Sequence, residues 1–548
     1  MSASTIGPRS ALLASGCLLA CFGAQAQITP GQVGDTLKKP IELQPAKPAP
    51  TIQTQTQEAP PAAASNKTLT LKQFEFAGNT LFSGAELSEL VKGYLDRPVT
   101  LLEVFEAADK VADFYVSKGY TLASVNVPPQ KIEQGTVRLL VSEGRIARIT
   151  AEDNKLYTTE QITDYLGEVR TGTVYQGSTL SERVRNLNTL PGLQAKAVVR
   201  PGERYGTSDL VIKTVEDPIS GSLIVDNFGR ESIGEVRFSA FAQINNPLKV
   251  GDQLQLLLLR SEENLLRYGY VAYSLPVNFS GTRVTASAGA AEFDVKDAPL
   301  VDGKNQSGRL TVSHPLMITP NSRLSVNVGG SRTIANSDFG GTTFNETSIS
   351  LLELGADYSY SHANLAVSQV VLNLSSNFKE LERSDLTTLA LGERLSAGQR
   401  LRAELDLQHL RPLVKGFQLY LHVNGVYSPD PLSDITAYSL GGPNGVRGYP
   451  ASEVRGDRGY FGQLGVNFPV AIAGARITPR VFADSGKVFA VDPAPATPGE
   501  KSLTSVGFGA DLQYQRITAK FDWSFPREDR TSSDGEDDRV FGSLAVSF

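Results

Sequence analysis

From residue 218 to the end of the chain, apolar and polar residues alternate with a period of two, and helical spacing is absent. Val236, Phe238, Ala240, Ala242 and Ile244 share one face of such a segment, while Arg237, Ser239 and Gln243 share the other. Leu419, Leu421, Val423 and Tyr427 oppose Gln418, Tyr420, His422 and Asn424, and Phe521, Trp523 and Phe525 oppose Lys520, Asp522 and Ser524. One apolar and one polar face suit a wall between lipid and a wet lumen, where closure pairs every backbone group. Aromatic residues near strand ends fit the interfacial girdle. At about 20 residues per strand and connection, residues 218–548 predict an all-β transmembrane β-barrel of about 16 antiparallel strands. The last strand puts Val540, Gly542, Leu544, Val546 and Phe548 on one side. A soluble β-sandwich or propeller is the alternative, and it would carry that strand as an adhesive edge.

Residues 68–217 are patterned as two consecutive α+β units of about 75 residues, each in the order β-α-α-β-β. In the first, 68–143, Leu69–Phe76 alternates as a strand. Ser83 with Glu86, and Thr100 with Glu103, then form capping boxes, in which hydroxyl and carboxylate satisfy the free amides of a helix start. Leu87, Leu90, Val91 and Tyr94 give the first helix an apolar face, and Val104, Ala108, Val111 and Tyr115 the second. Strands follow near Thr121–Val127 and Thr136–Ser142. In the second unit, 144–217, a strand at Ile146–Thr150 precedes helices opened by Thr158 with Gln161 and by Thr179 with Glu182. Strands near Leu193–Arg200 and Asp209–Val215 complete it.

Residues 1–26 read as a signal peptide, with Arg9, an apolar run from Ala11 to Phe22 and an Ala24-Gln25-Ala26 cleavage site. The competing reading is a lipoprotein box, Leu18-Leu19-Ala20-Cys21. The only cysteines, Cys17 and Cys21, lie in this segment, so the cleaved chain needs no disulfide. Residues 27–67 form a Pro- and Gln-rich linker whose one candidate helix, Gly31–Lys39, is short and weakened by Gly34.

A net charge of −6 leaves no basic footprint for nucleic acid. No apolar run approaches the roughly 20 residues of a membrane-spanning helix. Neither a G-x-S-x-G elbow nor a phosphate-binding glycine loop occurs. His314, His362, His409 and His422 are dispersed, although a hairpin would make neighbours of the last two. These absences predict no catalytic residue, metal or cofactor.

Two late motifs carry the chemistry. A polar, glycine-rich stretch after Tyr427 contains Leu440-Gly-Gly-Pro-Asn-Gly-Val-Arg-Gly-Tyr449, and a later strand contains Val481-Phe-Ala-Asp-Ser-Gly486. The first resembles the RGY tip of the sixth extracellular loop in two-partner secretion transporters, and the second the F-x-D-x-G wall motif of the same superfamily. The α+β pair, with Phe74–Phe82 as its opening strand and turn, resembles POTRA domains. Asp226–Gly229 with Gly234 and Arg237, Asn246–Leu254 and Gly281–Val284 resemble further parts of the family's barrel, so the resemblance covers Leu69 to Phe548.

The resemblance implies that Arg447 pairs with Asp484 inside the barrel. Gly445 and Gly448 would permit a tight tip, Val446 and Tyr449 would pack it, and Phe482 and Gly486 would shape the wall. It implies an outer-membrane transporter whose POTRA domains, in the periplasm, recognise a large secreted exoprotein of the filamentous adhesin or haemolysin kind. Besides outer-membrane lipid, a second partner is the barrel-assembly machinery, whose recognition signal an aromatic terminus such as Phe548 resembles. The family also has a pore-plugging N-terminal helix, which here falls on Gly31–Lys39. Two POTRA units rather than five favour export over barrel insertion. An insertion factor and a passive porin are the alternatives.

Overall fold

Sixteen antiparallel strands between Ile219 and Ser547 close on themselves, counting Val470–Ile472 as the continuation of Arg458–Asn467 because both pair with Ala475–Phe489. The computed structural model describes residues 29–37, 52–54, 68–204, 206–384, 400–491, 493, 499–527 and 532–548. The segment expected as a signal peptide, with both cysteines, and most of the segment expected as a linker lie outside these. The alternation read from sequence is the wall itself: Phe238, Leu258, Val423, Trp523 and Leu544 face outward and exposed, and their neighbours face in. Four strands from Val301 to Ser384 run 18 to 20 residues, roughly twice what a tilted crossing needs. They project beyond the bilayer, and short turns elsewhere offset them, so a mean spacing gave the right strand number without the right lengths. Among the described residues no helix is long and apolar enough to cross a membrane.

The seam is short. Ile219–Asp226 and Arg539–Ser547 share five paired residues, against eight between the first two strands. Two additions extend it. Gly221 and Phe548 exchange backbone hydrogen bonds of 3.1 and 3.0 Å. At the other end the Asn227 side chain stands in for backbone, donating to Val540 O at 2.8 Å and accepting from Gly542 N at 2.7 Å.

The first α+β unit forms as its local signals dictate. Gly84–Val91 and Leu101–Ser117 both carry complete capping boxes, from Ser83 with Glu86 and from Thr100 with Glu103. Leu87, Val91, Val104, Ala108, Val111 and Tyr115 are buried in one core. The expected single strand Leu69–Phe76 is instead two. Thr68–Thr70 pairs with Pro98–Thr100, and Gln73–Ala77 runs parallel to Thr136–Ser142. Between them Leu71 is fully buried and Lys72 N bonds Gly135 O, so the chain changes sheet there.

The second unit holds strand Arg145–Glu152, helices Thr159–Tyr165 and Gly177–Leu187, and strands Leu193–Pro201 and Thr207–Glu216. Thr158 and Gln161 cap the first helix as read, but Thr179 and Glu182 do not open the second. That helix begins at Gly177, and Thr179 Oγ1 donates to Gln176 Oε1 at 3.0 Å instead. Its sheet carries an unforeseen fourth strand: linker residues Ile52–Thr54 pair in parallel with Ala197–Val199 along the sheet's edge.

Glu143 joins the two units. Its carboxylate, almost completely buried, accepts from Leu81 N at 2.8 Å, from Thr80 N at 2.5 Å and from the Thr80 hydroxyl, with Arg145 at 3.3 Å. Burial opposes its ionisation, but these hydrogen bonds and Arg145 outweigh it and hold the carboxyl below the ordinary glutamate value. The second unit sits on the barrel's periplasmic turns. Asn246 Nδ2 donates to Leu156 O at 2.8 Å, Arg185 Nε to Ile318 O at 3.1 Å, and Tyr165 meets Phe279 edge-to-face at 5.3 Å.

Candidate functional site in the barrel lumen

Strand Gln418–Tyr427 and strand Arg458–Asn467 are adjacent in the wall, so residues 428–457 form one extracellular connection. Instead of projecting outward it folds back inside, braced by a small hairpin of Tyr438–Leu440 with Val454–Gly456. Val446 and Tyr449 at its tip are fully buried, packed with Leu440, Val454, Phe461, Val488 and Leu503. The turn is closed by Gly442 N to Tyr449 O at 2.9 Å and Gly445 N to Gly442 O at 3.1 Å. Gly448 has φ of 105°, a conformation that glycine adopts without the steric cost of a side chain.

That turn aims Arg447 at the wall. Its Nε and Nη2 reach the two oxygens of Asp484 at 2.8 Å each, and its backbone N–H reaches the same carboxylate at 3.1 Å. The forked contact uses the planarity of guanidinium, which an ammonium cannot reproduce. Its guanidinium carbon also lies 3.3 Å above the centre of the Phe482 ring, a stacking that favours a cation over an aromatic face. Both side chains are buried, that of Asp484 completely. Burial removes water that would compete for the pair, so the interaction is persistent although its assembly is costly.

Glycines shape the seat. A Cβ on Gly486 would lie 2.7 Å from Phe461 Cβ and 2.9 Å from Leu440 Cδ1, so a side chain there would push the tip hairpin off the wall. A Cβ on Gly507 would lie 2.5 Å from Phe482 Cζ, so its absence makes the niche for that ring. Every tip and wall residue singled out from sequence meets at this one place, and Phe548, singled out as an assembly signal, lies at the seam.

Several participants were not foreseen. Asp522 stands 3.5 Å from Arg447 Nη1 and accepts from Arg480 Nε at 2.8 Å, and Arg480 reaches Asp511 at 2.6 Å. Gln463 Nε2 donates to Gly445 O at 2.8 Å, fastening the tip from its other side. Alternation placed Asp522 on the lumenal face, but no local signal linked it to a loop 75 residues away.

A helix also occupies the lumen. Pro30–Thr36 is one residue earlier at its start and three shorter at its end than the segment expected. It forms despite Gly34 because Thr29 and Gln32 make a capping box and tertiary contacts supply the rest. Val33 is fully buried against Leu259, Leu266 and Phe293 of the wall and Ile233 of the connection between the first two strands. Its shorter polar contacts come from the folded-back loop and the first hairpin, with Asn305 of the wall donating to Pro30 O at 3.5 Å. Asp434 accepts from Thr29 Oγ1 at 2.9 Å and Gly31 N at 2.7 Å, Ser452 Oγ donates to Asp35 at 3.0 Å, and Arg237 donates to Thr36 O at 2.6 Å.

The histidines take other roles. His422 Nε2 lies 2.7 Å from Asp406 inside the barrel. His409 pairs across with Leu421, which puts it on the opposite face from His422, where Ser368 links it to His362. Among the described residues no group of three or more His, Cys, Asp or Glu side chains could hold a metal ion.

Periplasmic α+β units, a sixteen-stranded barrel and a loop turned back onto an acidic wall motif together define the class of POTRA-bearing outer-membrane barrels. Within it, the chain belongs to the haemolysin secretion/activation protein family ShlB/FhaC/HecB, whose model matches residues 206–512, while a ShlB-type POTRA domain matches residues 69–144. Similar proteins include the heme/hemopexin transporter protein HuxB of Haemophilus influenzae (strain 86-028NP), 25% identical over 474 residues covering 83% of each chain. The hemolysin transporter protein ShlB of Serratia marcescens is 26% identical over 488 residues, 84% of this chain and 82% of that one. Among solved structures, CdiB from Escherichia coli shares the fold over 100% of both chains, with a TM-score of 0.68 at 18% identity. The protein is thus an outer-membrane transporter of two-partner secretion, with its POTRA region in the periplasm, that exports a secreted partner protein.

Proposed function

We propose that export runs through the barrel lumen and is gated by two elements, the Arg447–Asp484 contact and the Pro30–Thr36 helix. The observation that carries this reading is the burial of the forked Arg447–Asp484 pair at the tip of a loop that fills the lumen. The helix is anchored to that same loop through Asp434 and Ser452. Displacing one therefore loosens the other.

Cargo capture uses the periplasmic units, residues 68–143 and 144–217, as a POTRA pair. An extended cargo segment adds to the edge strand Leu193–Pro201 by backbone pairing. Linker residues Ile52–Thr54 occupy that edge in the resting chain, so cargo competes with a segment of the transporter itself. The cargo is a large filamentous adhesin or haemolysin, largely unfolded as it passes. Folding outside the cell drives the movement, because no nucleotide-binding loop is present in the sequence. No catalysis by the chain is needed. Phe548 acts in biogenesis, as the residue read by the barrel-assembly machinery.

The test is the permeability of the purified, reconstituted barrel and the accessibility of its lumenal helix. Asp434→Ala should loosen helix and loop together, raising ion conductance of the reconstituted barrel and the reactivity of a cysteine placed at Val33. An unchanged conductance and a protected Val33→Cys would dismiss the coupled gate.

A further inference from the structure

The outer wall carries a concavity of about 710 Å³ across the last strand and the first five. Its floor is small: Ala240, Gly269 and Ala290 lie in one cross-strand row, and Leu258 and Leu223 rise beside them. All these residues face lipid. In the row above, Arg260 and Arg267 are direct cross-strand partners and also point outward. Arg260 has no ion pair among the described residues, and Arg267 lies 3.8 and 3.7 Å from Glu292 and Asp294. Glu292, which also lines the concavity and pairs across from Arg267, is held in turn by Lys304 at 3.3 Å, so the basic charge left over beside the apolar groove is that of Arg260.

Their height in the membrane follows from topology. Strand Gln253–Ser261 leaves a turn that touches the periplasmic unit through Asn246, so Arg260 near its far end stands at the outer leaflet. A guanidinium pair there matches a phosphate, and an apolar trough below it matches acyl chain. We infer that Arg260 and Arg267 bind the phosphate of an outer-leaflet, multiply acylated phospho-glycolipid, with one acyl chain lying in the groove over Gly269. The trough spans the seam through Val546 and Leu544, so the bound lipid splints the barrel's shortest strand pairing.

Native mass spectrometry of the full-length transporter extracted from outer membranes tests this. Lipid A and its dephosphorylated form are added as probes, with inorganic phosphate as competitor. Folding is checked by heat-dependent migration on gels. The wild type should retain lipid A at least tenfold better than the dephosphorylated form, and inorganic phosphate should not displace it. Arg260→Ala with Arg267→Ala should lose that preference. Gly269→Leu, whose new Cβ would meet only Leu258 Cδ2 at 3.8 Å, should fold, fill the trough and lose retention with both arginines intact. Equal retention of the two lipids, wild-type retention by either variant, displacement by inorganic phosphate, or a second protein chain held at this face would overturn the assignment.

Discussion

Replacing Arg447 with alanine removes the forked contact to Asp484, the approach to Asp522 and the stacking on Phe482 in one step. What remains is a carboxylate whose side chain has no exposed surface. Removing one member of a buried ion pair costs about 3–5 kcal/mol, chiefly because the other charge stays buried without its partner. At about 1.4 kcal/mol per factor of ten, the docked tip loses some two to three and a half orders of magnitude relative to the undocked one. Two features temper this. Val446 and Tyr449 keep their apolar contacts, and Gln463 keeps its bond to Gly445 O. The tip therefore loosens while the barrel, whose strand pairing does not involve Arg447, remains closed. A loosened segment 428–457 wanders across the export path instead of returning to a fixed seat. Secretion of cargo into the medium, measured against outer-membrane levels and heat-dependent migration, should fall at least tenfold with the barrel still folded. Arg447→Lys should not restore it, since an ammonium cannot span both carboxylate oxygens. Undiminished secretion by folded Arg447→Ala, or strictly additive effects of Arg447→Ala and Asp484→Ala, would refute the reasoning.

Three further outcomes follow from other parts of the molecule. Gln53→Pro removes a backbone donor from the linker strand paired to Val198 and should raise cargo affinity of the full chain about tenfold, a shift of roughly 1.4 kcal/mol, by titration of labelled cargo. Gly221→Val places a side chain 2.6 Å from Phe241 O and against the Phe548 ring, and should lower the temperature at which the barrel loses its folded gel migration. Glu143 has a folded-state pKa below its unfolded value, so its contribution is full above about pH 4.5 and is lost as pH falls through the depressed value. The protection factors of the Thr80 and Leu81 amides, exchange rates corrected for their intrinsic pH dependence, should fall on acidification into that window, and Glu143→Gln should flatten the dependence.

What could be read from sequence was what neighbours in sequence decide. Three capping boxes, the lumen-and-lipid alternation and the two loop-and-wall motifs are local, and each is where it was expected. Thr179 with Glu182 imitates a capping box, but the helix had already begun at Gly177, packed by Leu180 and Val184 in the core. The split at Leu71 depends on Gly135, more than sixty residues on, and the chain around Leu71 gives no sign of it. His409 and His422 are close in their hairpin, yet the register sets them on opposite faces, a parity invisible without the pairing. The lumenal helix shows the same limit. Thr29 and Gln32 are a readable start signal, but Asp434, which holds that start, lies 403 residues from Gly31. Ile52–Thr54 carries too little pattern to announce a strand, and the partner edge alone makes it one.

The central claim is that cargo crosses inside the barrel, and photo-crosslinking of a stalled export intermediate tests it most directly. A photoreactive residue at Gln463 or Asn424, both lumenal, should capture cargo, whereas one at Leu464 or Val423, their exposed lipid-facing neighbours, should not. Capture confined to the lipid-facing positions, or at Leu544 and Val225 along the seam, would contradict the account and point instead to lateral release into the membrane.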